Sequence, residues 1–116
     1  MDDHDVVRVS LSKYLDDHSS IKVAFQCATL SAMSHWLTLN SVDVIITDLT
    51  LRGDSGFSLL ELLKTSSNPA KVIVLTMHDS EPYISRALSF GVHGYLAKNS
   101  APEELVLAIA QVYEGK

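Results

Sequence analysis

Cysteine, proline and glycine are all scarce here: one, three and five residues respectively in a chain of 116. So little glycine and proline excludes collagen-like and low-complexity classes. The single cysteine, Cys27, excludes an internal disulfide and makes a reducing cytoplasm the expected compartment. Histidines 4, 18, 35, 78 and 93 lack the paired spacing of a zinc site. Positive charge is also in deficit, with 9 Lys and Arg against 14 Asp and Glu, a net charge of −5. That balance argues against nucleic acid or an anionic membrane as a direct partner. No apolar run approaches the ~18 residues of a membrane span, and the acidic start is the opposite of a signal peptide's basic one. What remains is an ordinary globular composition, 47% hydrophobic and 20% charged, expected to form a single domain over 1–116.

Three β-branched runs stand out: "IKVAF" at 21–25, "VDVIIT" at 42–47 and "KVIVLT" at 71–76. The last two are almost continuously apolar, as strands buried on both faces of a parallel sheet are. A weaker strand is expected at "GYLAK", 94–98. Helical spacing of apolar residues fills the intervals, from Asp5 to His18, from Ser31, from Gly56, from the "DSEP" turn at 79–82, and after "SAPE" at 100–103. In the last of these, Ser100 and Glu103 form a capping-box pattern. Trp36 lies on an apolar helical stripe and is expected in the core, as is Cys27. Alternation of helix and strand implies a parallel sheet wrapped by helices on both faces. A unit of this kind normally begins with a strand, and none precedes the first helix.

Ligands of such sheets bind at the carboxyl ends of the strands. Asp48 follows the 42–47 run, Thr76 ends the 71–76 run, Lys98 ends the 94–98 run, and Asp2 and Asp3 stand where an initial strand would have ended. Converging carboxylates repel unless a cation lies among them. A hard divalent cation such as Mg²⁺, with oxygen ligands, satisfies that requirement. Carboxylates, a lysine and a hydroxyl together suit attack of a carboxylate on a phosphoryl group. Any one of these residues alone would be read as a solvated or capping residue; the combination is what points to chemistry.

The stretches "DDH" at 2–4, "VDVIITDLTLRGDSGFSLLELL" at 42–63, "KVIVLTMHD" at 71–79 and "ALSFGVHGYLAKNSAPEEL" at 87–105 resemble the receiver domain of two-component response regulators, closest to the NarL/FixJ (LuxR-type) group. The likeness covers essentially the whole chain. It implies a flavodoxin-like, doubly wound parallel sheet of order 2-1-3-4-5, here without the usual first strand. By this resemblance Asp48 is the phospho-acceptor and Lys98 pairs with the phosphoryl oxygens. Thr76 is the switch hydroxyl, and Tyr95 is the aromatic that turns inward with it. Asp2, Asp3, Asp48 and the backbone carbonyl of Thr50 hold Mg²⁺. Arg52 stands where the family usually has proline, and Asn99 follows the lysine where proline is common elsewhere in the superfamily.

The missing strand is the middle one of the family's sheet. The expectation is therefore a rearranged sheet, by partner exchange between copies or by direct pairing of 21–25 with 42–47, with metal affinity weakened or lost. The implied function is a signalling switch phosphorylated on Asp48 by a sensor histidine kinase, cytoplasmic and homodimeric. Its output is transcriptional, and nucleic acid is reached only through a C-terminal helix-turn-helix domain that the chain lacks. No enzymatic activity is implied beyond self-phosphorylation by transfer and slow self-dephosphorylation. Alternatives are a degenerate receiver acting as an interaction module and an aspartate-nucleophile phosphohydrolase. The latter wants a second aspartate two residues after the nucleophile, where Thr50 stands.

Overall fold

The structure, a computed structural model, describes residues 1–2, 5–49, 55–76 and 81–115, without the side chains at 55, 81 and 83. Its elements run α1 (Asp5–Asp16), α2 (Leu30–Leu39), β1 (Val44–Asp48), α3 (Ser55–Thr65), β2 (Lys71–Thr76), α4 (Glu81–Ser89), β3 (Gly94–Ala97) and α5 (Pro102–Tyr113). The strands form one parallel sheet in the order β1-β2-β3. Ile46 lies opposite Ile73 and Asp48 opposite Leu75; Val74 lies opposite Tyr95 and Thr76 opposite Ala97. This register brings the carboxyl ends of all three strands to one edge.

Side-chain alternation along β2 divides the core. Val72 and Val74 join Met33, Ile45, Leu59 and Leu60 on one face, while Ile73 and Leu75 join Leu15, Leu105 and Val112 on the other. Leu59, Ile73 and Val74 are fully buried, and each such side chain contributes about 1.5–3 kcal/mol of transfer free energy.

Residues 21–25 do not form the expected strand; among the described residues the sheet has three strands rather than four. The direct pairing of 21–25 with 42–47 is absent as well, because the two segments are separated by a cavity of about 610 Å³. A β-rich sequence becomes a strand only where a neighbour completes its ladder. Among the described residues, Asp2 N–H donates to the Cys27 carbonyl at 3.1 Å on this side.

Two helix starts also differ from expectation. The N-cap of α5 is Ala101, without a side-chain cap, rather than Ser100 with Glu103. Pro102 opens the helix because its missing N–H costs nothing there. In α2, Thr29 Oγ1 accepts from the Ala32 N–H at 3.2 Å, a cap of about 1 kcal/mol. Cys27 is buried as expected, whereas Trp36 is only half-buried and stacks on exposed Phe25 at 5.0 Å.

Candidate functional site

Asp48 closes β1, Thr76 closes β2, and Lys98 immediately follows β3. The ladder continues one step past the strands: Leu49 N–H donates to the Leu75 carbonyl at 3.3 Å, and Lys98 N–H donates to the Thr76 carbonyl at 2.8 Å. Thr76 therefore fixes the backbone from which the Lys98 side chain departs.

That side chain reaches back across the sheet edge. Lys98 Nζ lies 2.7 Å from Asp48 Oδ2 and 3.2 Å from Asp2 Oδ2. Solvent reaches little of the cluster, with side-chain exposures of 5% for Lys98 and 0% for Asp48. Burial acts to lower the Lys98 pKa, but hydrogen bonds and charge from Asp48 and Asp2 outweigh it, so the net shift is upward. The ammonium is thus held charged at any physiological pH. Among the described residues, two carboxylates share this one ammonium.

Asp2 is brought beside Lys98, and its route is visible in the backbone. The Met1 ammonium donates to the Ile46 carbonyl at 2.6 Å. Asp48 N–H donates to the Met1 carbonyl at 3.0 Å, and Asp2 N–H to the Cys27 carbonyl. Met1 and Asp2 therefore lie between β1 and the 21–27 segment like the final residues of a parallel strand. The buried ammonium has its pKa lowered, chiefly by desolvation. Burial likewise raises the Cys27 thiol pKa, so this cysteine is not an activated nucleophile.

Asp3 and Thr50 lie outside the described residues, as do His4, Arg52 and His78. Tyr95 is half-buried on β3 and packs against the core of the α2–α3 face. The oxygen donors that are described, the Asp2 and Asp48 carboxylates, converge within reach of one cation and are the hard ligands Mg²⁺ takes. They are part of such a ligand set; among the described residues no group of three His, Cys, Asp or Glu side chains comes together to hold a metal. Receiver domains in general bind Mg²⁺ at the site of phosphorylation.

Two contributors were not legible in the sequence. Arg8 on α1 donates from Nη1 to the Asp2 carbonyl at 2.9 Å and pairs with Asp5 at 2.8 Å, tying the helix to the N-terminal residues. Only its three-residue spacing from Asp5 hints at this. Gly56, in the first turn of α3, approaches so closely that a Cβ there would sit 2.6 Å from the Asp48 carbonyl oxygen and 2.7 Å from Leu49 Cα. Glycine lets α3 start directly against the end of β1.

Comparison with known proteins places this geometry. Residues 1–110 match the response regulator receiver domain family. The chain is 34% identical over 116 residues to the response regulator UvrY of Escherichia coli K12, covering 100% of this chain and 53% of UvrY. It thus spans about half the length of the curated relatives it matches. A two-component response regulator of the LuxR family from Aurantimonas superposes with a TM-score of 0.90 at 27% identity, over 99% of this chain and 82% of that one. RcsB from Salmonella enterica, bound to the rprA promoter with the phosphomimetic BeF₃⁻, gives 0.85 at 29% identity, over 96% and 64%.

Proposed function

This chain belongs to the response regulator receiver family, and from that premise we propose that it is a phosphorylation-controlled switch with Asp48 as the phospho-acceptor. The observation that carries the proposal is the buried Asp48 carboxylate at the end of β1, with Lys98 Nζ 2.7 Å from it. In this reading the phosphoryl donor is a sensor histidine kinase. An Asp48 oxygen forms the new P–O bond as the P–N bond to the kinase histidine breaks. Lys98 then exchanges its carboxylate contacts for the phosphoryl oxygens, its backbone held at the strand end by the Thr76 carbonyl. Asp2 and Asp48, with Asp3 and the Thr50 carbonyl as further ligands, would hold Mg²⁺, which would supply additional neutralisation of the phosphoryl charge.

Thr76 stands at the adjoining strand end, and its hydroxyl is the donor that moves onto the new anion; Tyr95, two residues before the end of β3, turns inward with it. A few kcal/mol of differential stabilisation suffices to shift such a bistable surface. The output is transcriptional regulation by a homodimer, through a DNA-binding domain in a longer protein. Support comes from the LuxR-family structural neighbour and from RcsB, whose structure was obtained on a promoter.

The test is incubation with acetyl phosphate, with and without Mg²⁺, read by intact mass. One phosphoryl adduct that disappears in Asp48→Asn and without Mg²⁺ is expected. An adduct that persists in Asp48→Asn, or none on the folded chain, overturns the assignment.

A further inference from the structure

β3 is four residues long and none of them is fully buried; among the described residues it pairs with β2 alone. A strand so short and so little buried is weakly seated by its own side chains. Its register sets Tyr95 opposite Val74 and Ala97 opposite Thr76. Continued toward the start of the strand, that ladder would offer the Val92 carbonyl to the Val72 amide. The His93 side chain takes that place. Val72 N–H donates to His93 Nδ1 at 3.2 Å, while His93 N–H donates to the Val72 carbonyl at 2.9 Å. One residue thus engages both polar groups of Val72. An N–H can only donate, so Nδ1 is the acceptor and the ring proton lies on Nε2. Val72 is buried, and a buried amide needs a partner.

At the far end of β3, Lys98 N–H donates to the Thr76 carbonyl at 2.8 Å. Between these two pins the strand lies tight on its neighbour: a Cβ at Gly94 would sit 3.2 Å from Ile73 Cγ1. The seating of β3 is therefore passed on to the Lys98 ammonium, 2.7 Å from Asp48 and 3.2 Å from Asp2. We propose that His93 is a positioning residue for the site: by taking the Val72 amide, its imidazole seats β3 on β2 and holds Lys98 where its ammonium meets both carboxylates. The role rests on these contacts; only its consequence for phosphorylation rests on the reading of Asp48 as phospho-acceptor. Misplacing a reacting group by ~1 Å costs up to about 10²-fold in rate, so even a slight shift of β3 is measurable.

The test compares His93→Asn, whose Oδ1 can stand where Nδ1 stands, with His93→Phe, which keeps a ring and has no acceptor. The readouts are hydrogen exchange at the Val72 amide, the proton–nitrogen NMR signal of the Lys98 ammonium, and the rate of labelling by acetyl phosphate with Mg²⁺. In His93→Phe, Val72 exchange is expected to be roughly ten-fold faster. The ammonium signal should shift toward that of solvated lysines, and labelling should slow by about three-fold or more. His93→Asn should restore all of these. An unshifted ammonium signal or an unchanged labelling rate in His93→Phe overturns the proposal, and so does a His93→Asn that behaves like His93→Phe. In the unmodified chain a nitrogen–nitrogen scalar coupling across the Val72–His93 hydrogen bond is expected, and its absence overturns the proposal whatever the variants do. If the exchange and ammonium signals follow expectation while the unmodified chain takes no phosphoryl group, the positioning role stands and the phospho-acceptor reading falls.

Discussion

Removing the Lys98 ammonium is the sharpest perturbation of the site, because two carboxylates depend on it. In Lys98→Met the aliphatic stem is kept while the contacts at 2.7 Å to Asp48 and 3.2 Å to Asp2 are lost. Ionic contact at about 4 Å is worth about 4 kcal/mol at an effective dielectric near 20. Breaking a buried pair by deleting one partner costs about 3–5 kcal/mol, since the surviving charge is stranded. Asp48 is fully buried, which puts this substitution in that range rather than in the ~0–1 kcal/mol of a surface bridge. Against a domain stability of about 5–15 kcal/mol the variant still folds, with a urea midpoint lowered by about 2 M.

The pH dependence carries its own sign. The Lys98 pKa is raised, so its contribution is complete below the ordinary lysine value and fades only as pH climbs through the still higher folded one. The unmodified chain therefore keeps this contribution throughout the neutral range. In Lys98→Met the stranded carboxylates favour a proton, so the folded variant binds protons that its unfolded state does not, and its stability falls as pH rises out of the acid range. The deficit relative to the unmodified chain should shrink toward about pH 4. Urea unfolding of both proteins between pH 4 and 8 checks this. A deficit under about 1 kcal/mol, unchanged with pH, would refute the buried-cluster account.

Gly56→Ala should lower the thermal midpoint by an amount corresponding to about 1–3 kcal/mol, despite alanine's better helix propensity, because the new Cβ meets the backbone of Asp48 and Leu49. Slower labelling by acetyl phosphate should accompany it. The buried Met1 ammonium has a lowered pKa, so the unfolded state binds more protons between that value and about 8, and stability rises with pH across this window. N-terminal acetylation should abolish that slope, as urea midpoints of the two forms would record. Arg86 lies 4.0 Å from the Phe57 ring centroid; Arg86→Ala should cost about 0.5–1 kcal/mol in thermal unfolding, with phosphoryl labelling unchanged.

Much of this architecture is legible in the sequence, for identifiable reasons. Runs such as "VDVIIT" and "KVIVLT" are almost continuously apolar between their polar ends, a pattern that strands buried on both faces of a parallel sheet show. Once those strands are parallel, their ends must share one edge, which is why Asp48, Thr76 and Lys98 meet. The 21–25 run fails for the complementary reason: β-branched residues declare a fit to a pleated surface but cannot declare the neighbour that completes it. At α5, Pro102 prevails over the Ser100/Glu103 pattern because the proline ring is preset for the first turn. Gly56 and Arg8 escape sequence reading because their importance lies in what they touch, a carbonyl of Asp48 and a carbonyl of Asp2, and only the Asp5–Arg8 spacing hints at either.

The most direct test of the central claim is to locate the phosphoryl group. After labelling with acetyl phosphate and Mg²⁺, tryptic residues 23–52 carry both Asp43 and Asp48, and fragmentation separates the two. Asp43 is exposed and Asp48 is buried against Lys98. The account predicts the adduct on Asp48 alone; an adduct on Asp43, or on a peptide outside 23–52, would contradict it.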